Sequence, residues 1–284
     1  MIKISVIILS YNTQKLTKRC LESLLQALST ETTINYEIII VDNGSTDNSV
    51  EMLHKFKIKN LKFKIIFNKK NVGYPKGNNQ ALKIAEGEYV LFLNSDTIVE
   101  RIQFSALLNY INSQPNVGVL TVRVKLPSGQ IDSASHRGFP TIWNSFCYFF
   151  KLEKLFGKLP VLGKIFGGYH LTYLDLRTIH EIDSPSGAFY LTRKKILDKI
   201  KGFDEIFFMY GEDLDLSFRI KELGYKVLYY PLFSVIHLKY ASGFKKSHFY
   251  EAMKIFYRKH YAQNNNWLVN QLIYFFIDLR KQIS

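Results

Sequence analysis

Cysteine is nearly absent: Cys20 and Cys147 are the only two in 284 residues. Two are too few for a disulfide framework and their spacing fits no metal motif, so a reducing compartment is the default. Long apolar runs are also missing. The nearest to the roughly 20 apolar residues of a membrane-spanning helix is Trp267 to Leu279, which is short and carries Asn270, Gln271 and Asp278. The apolar start, Ile4 to Leu9, is too short for a signal peptide, and Tyr11-Asn12-Thr13-Gln14 follows it in place of a small-residue cleavage site. No G-x-G-x-x-G comes after that run, which disfavours a dinucleotide-binding fold. No helix-turn-helix, zinc-finger or RRM signature occurs, so no specific nucleic-acid partner is expected. Acidic residues are in deficit, 24 against 38 basic, for a net charge of +14. That sign suits an anionic partner such as nucleic acid, a lipid headgroup or a sugar nucleotide.

What is present is apolar and aromatic. Hydrophobic residues make up 47% and aromatics 15% of the chain, enough for a sizeable core. Basic plus aromatic is also the composition of a protein that rests on a membrane surface. The continuous β-branched run Ile4 to Leu9 reads as a strand covered on both faces. Leu16 to Leu28 has helical spacing, and Tyr36 to Val41, Phe63 to Phe67 and Tyr89 to Leu93 read as further strands. A glycine-containing loop, Asn71 to Asn79, leads into a helix expected from about Gln80 to Ala85. Strands alternating with helices at this spacing imply βαβ units on a parallel sheet. Ligands of open α/β sheets bind outside the carboxyl ends of the strands. Three polar clusters fall there: Ser10 to Asn12, Asp42 to Ser45, and Asn94 to Asp96.

Beyond Asp96 the alternation loosens. A helix is expected at Phe104 to Ile111, strands at Val117 to Lys125, Ser186 to Leu191, Tyr225 to Tyr230 and Phe233 to His237, and a hairpin turn at Pro127 to Gln130. Thr141 to His170 is basic, aromatic and punctuated by glycine, and reads either as an insertion facing acceptor or membrane or as a plain surface helix pair. The stretch Gly202 to Leu216 sets the aromatic run Phe207 to Tyr210 before Glu212, Asp213 and Asp215. Carboxylates at a helix start complement the helix dipole. An acid beside an aromatic wall can also have a raised pKa and work as a general base. Asp215 falls elsewhere on the helix and is expected to cap or pair. The tail from Ser247 onward is helical, with Lys254, Arg258 and Lys259 among aromatic residues.

These pieces carry a family resemblance. Ser5 to Asn12, Val41 to Ser45, Asn71-Val72-Gly73, Phe92 to Asp96, Ser186-Gly187-Ala188, Gly202 to Leu216 and Val235-Ile236-His237 come in the order found in family 2 glycosyltransferases. The match is most similar to the bacterial rhamnosyltransferase-like branch that builds O-antigen and other surface polysaccharides, and covers roughly residues 3 to 240. The resemblance implies a GT-A fold, a Rossmann-like and mostly parallel central sheet flanked by helices. It implies a catalytic domain over 1–240 with a basic, aromatic helical extension over 241–284. It also implies inverting transfer from a nucleotide sugar, dTDP- or UDP-linked, to a saccharide acceptor carried on a polyprenyl diphosphate at the inner face of the plasma membrane.

Carried over residue by residue, Asp42 binds the nucleobase. Ser10, Tyr11, Asn43, Gly73, Lys76, Asn94 and Ser95 complete the donor site. Asp96 and His237 are the ligands of a divalent Mg or Mn ion, with Asn94 standing where the common D-x-D pattern has its first Asp. Asp213 is the general base and Glu212 its neighbour, with Ser186, Gly187, Met209 and Tyr210 on the acceptor side. The tail reads as a peripheral membrane helix, a helix packed on the catalytic domain, or a homodimer contact. A competing reading is a non-catalytic scaffold of this fold in a polysaccharide assembly complex, motivated by Asn94 alone.

Overall fold

The computed structural model describes residues 3–31, 33–59, 62–239 and 243–283. Strand β1 (Ile4–Ser10), helix α1 (Gln14–Ser29), β2 (Tyr36–Asp42), α2 (Ser49–Lys59), β3 (Phe63–Phe67), α3 (Tyr74–Lys83) and β4 (Tyr89–Phe92) follow one another as the alternation predicts. β1 pairs in parallel with β2 on one side and β4 on the other, so Ile7 lies between Ile39 and Phe92. Both faces of these strands are covered, which is why their sequences are β-branched throughout rather than alternating. On one face, Cys20, Leu21, Leu24 and Leu28 of α1 pack against Ile4, Val6 and Ile8. On the other, Ala81 and Leu82 of α3 pack against Ile7, Ile39 and Phe92.

The chain continues through β5 (Thr97–Val99), α4 (Phe104–Ser113), β6 (Val117–Lys125), three short helices α5 (Ile142–Phe149), α6 (Leu152–Phe156) and α7 (Leu162–Phe166), then β7 (His180–Ile182) and β8 (Tyr190–Arg193). It ends with α8 (Lys194–Ile200), α9 (Glu212–Glu222), β9 (Lys226–His237), α10 (Lys246–His260) and α11 (Trp267–Ile283). The sheet runs β3-β2-β1-β4-β8-β6-β9-β5, with β7 also on β9. The half from β3 to β4 is parallel, whereas β8 is antiparallel to both β4 and β6. Helix α10 docks on α9 through Ala252 and Phe256, which meet Phe207 and Leu214.

Three expected boundaries move. The helix expected from Gln80 begins at Tyr74, because Pro75 is compatible with a first helical turn and Gly73, at φ +89°, turns the chain into it. The strand expected from Ser186 begins at Tyr190; the residues before it form a turn. The two strands expected at Tyr225 to Tyr230 and Phe233 to His237 are one, β9. Pro231 is absorbed where the register on β6 jumps from Val122↔Tyr230 to Arg123↔Ser234, an irregularity that needs no N–H from proline. Strands β5 and β7, three residues each, were not expected.

Candidate active site

The strand order reverses between β1 and β4, since β2 and β3 lie to one side and the later strands to the other. A crevice at the carboxyl ends of β1, β2 and β4 follows from that topology. Asp42, the last residue of β2, is buried there. Its Oδ1 accepts a hydrogen bond from the Ser45 backbone N–H at 2.9 Å. Its Oδ2 is buried with no partner among the described residues. A carboxylate oxygen held dry and unpaired is costly unless a ligand N–H completes it. Asn43 behaves differently. Its amide donates to Asn71 Oδ1 at 2.9 Å and to the Gly73 carbonyl at 3.3 Å, and its Oδ1 accepts from the Val72 N–H at 3.1 Å. It therefore ties down the glycine loop. Ser10 and Ser95 also turn inward, joined through Thr13 and Thr17 in a chain of buried hydroxyls 2.8–3.3 Å apart.

Asp96 is brought to His237 by the strand that sequence patterning misses. β5 pairs antiparallel with β9, setting Thr97 opposite His237, and the Leu238 N–H donates to the Asp96 carbonyl at 2.9 Å. The Asp96 carboxylate then lies 3.3 Å from His237 Nε2. On the other side of the imidazole, Nδ1 is 2.9 Å from Asp132 Oδ2, and Asp132 Oδ1 is 2.8 Å from Lys239 Nζ. Asp132 is fully buried. Burial opposes its ionisation, but His237 and Lys239 outweigh that and hold its carboxyl below the usual range. Burial alone would lower His237; Asp132 and Asp96 together carry it to about 9. A carboxylate on the far nitrogen fixes the ring and aims Nε2, the arrangement that orients a metal-ligating histidine. One carboxylate oxygen and one imidazole nitrogen suit a divalent ion that keeps water and substrate phosphate as its other ligands. Among the described residues no group of three His, Cys, Asp or Glu side chains forms a complete cage.

Tyr74 stands at the centre. Its hydroxyl donates to Asn94 Oδ1 at 3.1 Å. Burial, then the charges of Glu212, Asp213 and Asp96, push the phenol well above its ordinary value, so all three acids are near enough for their charge to reach it. Gly187 roofs the contact: a Cβ on it would sit 2.4 Å from Tyr74 Oη and 3.1 Å from Asn94 Oδ1. The Asn94 N–H donates to the Gly187 carbonyl at 3.1 Å, and the Ser186 hydroxyl beside it is buried without a partner among the described residues.

The remaining acids begin α9. Gly211 enters the helix at φ +76°, and Glu212, Asp213 and Asp215 occupy its first turn, at the positive end of the dipole. Asp213 Oδ2 meets Arg137 Nη2 at 2.7 Å and its Oδ1 accepts from the Leu214 N–H at 2.8 Å. Glu212 Oε2 is buried and has no partner among the described residues. Burial, then repulsion from Asp213, raises Glu212 to about 8. Asp215 points away, fully buried among Arg219, Lys259 and His260 at 2.7–2.8 Å. It is the pairing residue its helical position predicts.

The structure thus gathers Asn94, Asp96, His237, Glu212, Asp213, Ser186 and Gly187 around Tyr74, while Asp42 closes β2 farther along the same crevice. Gly73, expected on the donor side, abuts the Phe208 to Tyr210 segment, because a Cβ there would lie 2.8 Å from the Phe208 carbonyl. Tyr11 is half-buried and Lys76 exposed. Phe207 belongs to the core under α10, so the expected aromatic wall reduces to Phe208, Met209 and Tyr210. Phe208 lies against the His248 ring, with centroids 4.9 Å apart, and the Tyr210 hydroxyl accepts from the Lys245 N–H at 3.2 Å. Sequence reading missed Tyr74, Asp132, Arg137 and Lys239.

Comparisons with known proteins identify the family and the fold. The family described as Glycosyl transferase family 2 matches residues 5–176. The chain belongs to that family. Its relatives include the rhamnosyltransferase WbbL of Escherichia coli, 25% identical over 249 residues, 76% of this chain and 88% of that one. They also include a poly(ribitol-phosphate) beta-glucosyltransferase of Bacillus spizizenii, 38% identical over 141 residues, 49% of this chain. The chain spans 20% of the length of that Bacillus protein. The fold is shared with residues 1–349 of TarS from S. aureus in complex with UDP, at TM-score 0.60 and 21% identity, over 96% of this chain and 69% of that one. It is likewise shared with a mannosyltransferase of Pyrobaculum calidifontis in complex with GDP-Man and Mn2+, at TM-score 0.59 and 16% identity, over 93% of this chain and 65% of that one. The sheet and flanking helices are therefore those of a GT-A member of family 2.

Proposed function

We propose that this family 2 chain is an inverting glycosyltransferase of surface-polysaccharide synthesis. It moves a sugar from a nucleotide diphosphate, UDP or dTDP, to a hydroxyl of a growing polysaccharide or lipid-linked saccharide. The observation that carries this is the placing of two unlike acidic groups around Tyr74. Asp96, braced by His237, Asp132 and Lys239, is one; Glu212 and Asp213, braced by Arg137, are the other. The first suits a leaving diphosphate and the second an attacking hydroxyl. The unpaired Asp42 Oδ2 supports nucleobase recognition through a ring N–H. Similarity to the rhamnosyltransferase of Escherichia coli supports rhamnose as the sugar.

In this reading the acceptor oxygen attacks the anomeric carbon from the side opposite the diphosphate. The new C–O bond forms as the bond to phosphate breaks, and the hydroxyl proton passes to Asp213. Arg137 and the Leu214 N–H fix that carboxylate while leaving it lone pairs to accept the proton. Burial keeps Glu212 neutral beside it, so the two side chains do not both carry charge. Asp132 holds the His237 imidazolium against Asp96, so its positive charge offsets that carboxylate where negative charge develops on the leaving group. A divalent ion held by Asp96, with His237 as a further ligand once the ion displaced the Nε2 proton, would supply Lewis-acid neutralisation of the diphosphate.

Asp213→Asn tests the assignment. Transfer from nucleotide sugar to acceptor should fall by about 10²-fold or more, while calorimetric affinity for the nucleotide stays within about twofold of wild type, since Asp42 is untouched. Turnover within a few-fold of wild type would refute Asp213 as base.

A further inference from the structure

A second surface, outside the sugar-transfer site, carries an unusual pattern. Helix α11 turns Asn270, Tyr274 and Ile277 toward α10: Asn270 accepts from the Tyr257 hydroxyl at 2.7 Å, Tyr274 meets the Tyr257 ring, and Ile277 is buried. Its opposite face carries Leu268, Leu272, Phe275 and Phe276, all exposed, Phe275 by 61%. A surface helix normally turns its polar side outward; this one presents an apolar stripe to solvent. Helices α5 to α7 add Trp143, Phe146, Phe150 at 59%, Leu155 at 68% and Val161 at 73%. The two regions are joined, because the Arg280 guanidinium lies over the Phe149 ring at 5.0 Å. Both tryptophans of the chain, Trp143 and Trp267, lie on these helices, and both are exposed.

The charge on this surface has one sign. Between Thr141 and Gly168 the only acid is Glu153, and it is buried against His170 at 3.1 Å. Lys151, Lys154, Lys158 and Lys164 are all exposed among the apolar residues. On α11 the one acid, Asp278, pairs with Lys254 at 2.6 Å, while Arg280, over the Phe149 ring, and Lys281 stay exposed. A second copy of the chain docking here would bring lysines against lysines. An anionic bilayer offers charge of the opposite sign together with an apolar interior for the aromatic side chains. Among the described residues no helix is long and apolar enough to cross a membrane, so the contact lies in the interface plane.

We infer that the α5–α7 helices and the outer face of α11 form a docking surface for an anionic lipid bilayer. The surface does not depend on the transfer chemistry, so its test separates from that of the catalytic reading. The whole chain is mixed with vesicles of phosphatidylcholine alone or of phosphatidylcholine with phosphatidylglycerol, followed by sedimentation and by tryptophan emission. Binding should be roughly tenfold or more tighter on the phosphatidylglycerol vesicles and should weaken with salt. Emission from Trp143 and Trp267 should shift to the blue. The double variant Leu272→Glu/Phe275→Glu, changed at exposed positions, should lose about tenfold of that binding while its nucleotide affinity is unchanged. Absence of binding to either vesicle, or binding with no emission shift, overturns the inference. So does a wild-type dimer in sedimentation velocity that the double variant converts to monomer without altering lipid binding, which would assign the face to a second copy.

Discussion

Glu212 offers a test whose sign and size both follow from the structure. It is buried beside Asp213, and burial first and repulsion second raise its carboxyl from 4.5 to about 8. Between those two values the folded protein holds a proton that the unfolded chain releases. Unfolding therefore liberates a proton, and raising the pH favours unfolding. The contribution of Glu212 to stability is complete below its unfolded value and is lost as pH rises toward about 8. One proton corresponds to about 1.4 kcal/mol per pH unit, so two units inside this window amount to about 3 kcal/mol. Glu212→Gln keeps the shape and cannot ionise. Urea unfolding of both proteins at a mildly acidic and a mildly alkaline pH, two units apart within that window, should show wild type losing about 2–3 kcal/mol more than the variant. His237, also raised, loses stability over part of the same range, but it does so in both proteins and cancels in the difference. Equal pH slopes in the two proteins would refute the claim that Glu212 is neutral in the folded state. A variant less stable than wild type at the alkaline end would refute it as well.

Two further substitutions probe the supports of the site. Asp132→Asn removes the buried counter-charge of His237 and Lys239 and should cost about 3 kcal/mol in urea unfolding. It should also lower the His237 imidazole from about 9, read by its NMR titration; an unmoved titration would sever Asp132 from the Asp96–His237 contact. Gly187→Ala places a methyl 2.4 Å from Tyr74 Oη, which should displace the phenol from Asn94 and cost about 1–3 kcal/mol of stability. Transfer should fall with it while nucleotide affinity holds, and unaltered turnover would remove Tyr74 from the site.

The parallel half of the sheet was legible because both-face burial leaves a direct mark, unbroken β-branched runs at Ile4 to Leu9 and Tyr36 to Val41. The strand-end rule then led to Asp42 and Asp96 without knowledge of any partner. It could not separate Asp42, whose Oδ2 has no partner among the described residues, from Asn43, Ser10 and Ser95, whose polar atoms hold loops and one another. Polarity at a strand end is the same in both cases; only the third dimension tells which way the group points. Arg137 and Asp132 were out of reach for another reason. They meet Asp213 and His237 across 76 and 105 residues of chain, so no local period records them. β5 is three residues long, below the length at which alternation becomes visible, yet it is the element that sets Asp96 against His237.

The stretch from Gly202 to Leu216 takes its position from helix α3 as much as from its own helix. Tyr74 donates its backbone N–H to the Phe208 carbonyl at 2.8 Å, and Gly73 is a glycine because that same carbonyl leaves no room for a Cβ. Asn79 of α3 donates to the Phe203 carbonyl and accepts from its N–H, both at 2.9 Å. Helix α3 therefore holds the segment that carries Glu212 and Asp213 at two points. The same helix supplies the Tyr74 hydroxyl to Asn94, next but one to Asp96. A single ten-residue helix thus couples the acid pair of α9 to the carboxylate beside His237. The spacing between the two acidic groups is then set by close backbone contact rather than by flexible side chains, as the proposed displacement, which needs both groups in register, requires.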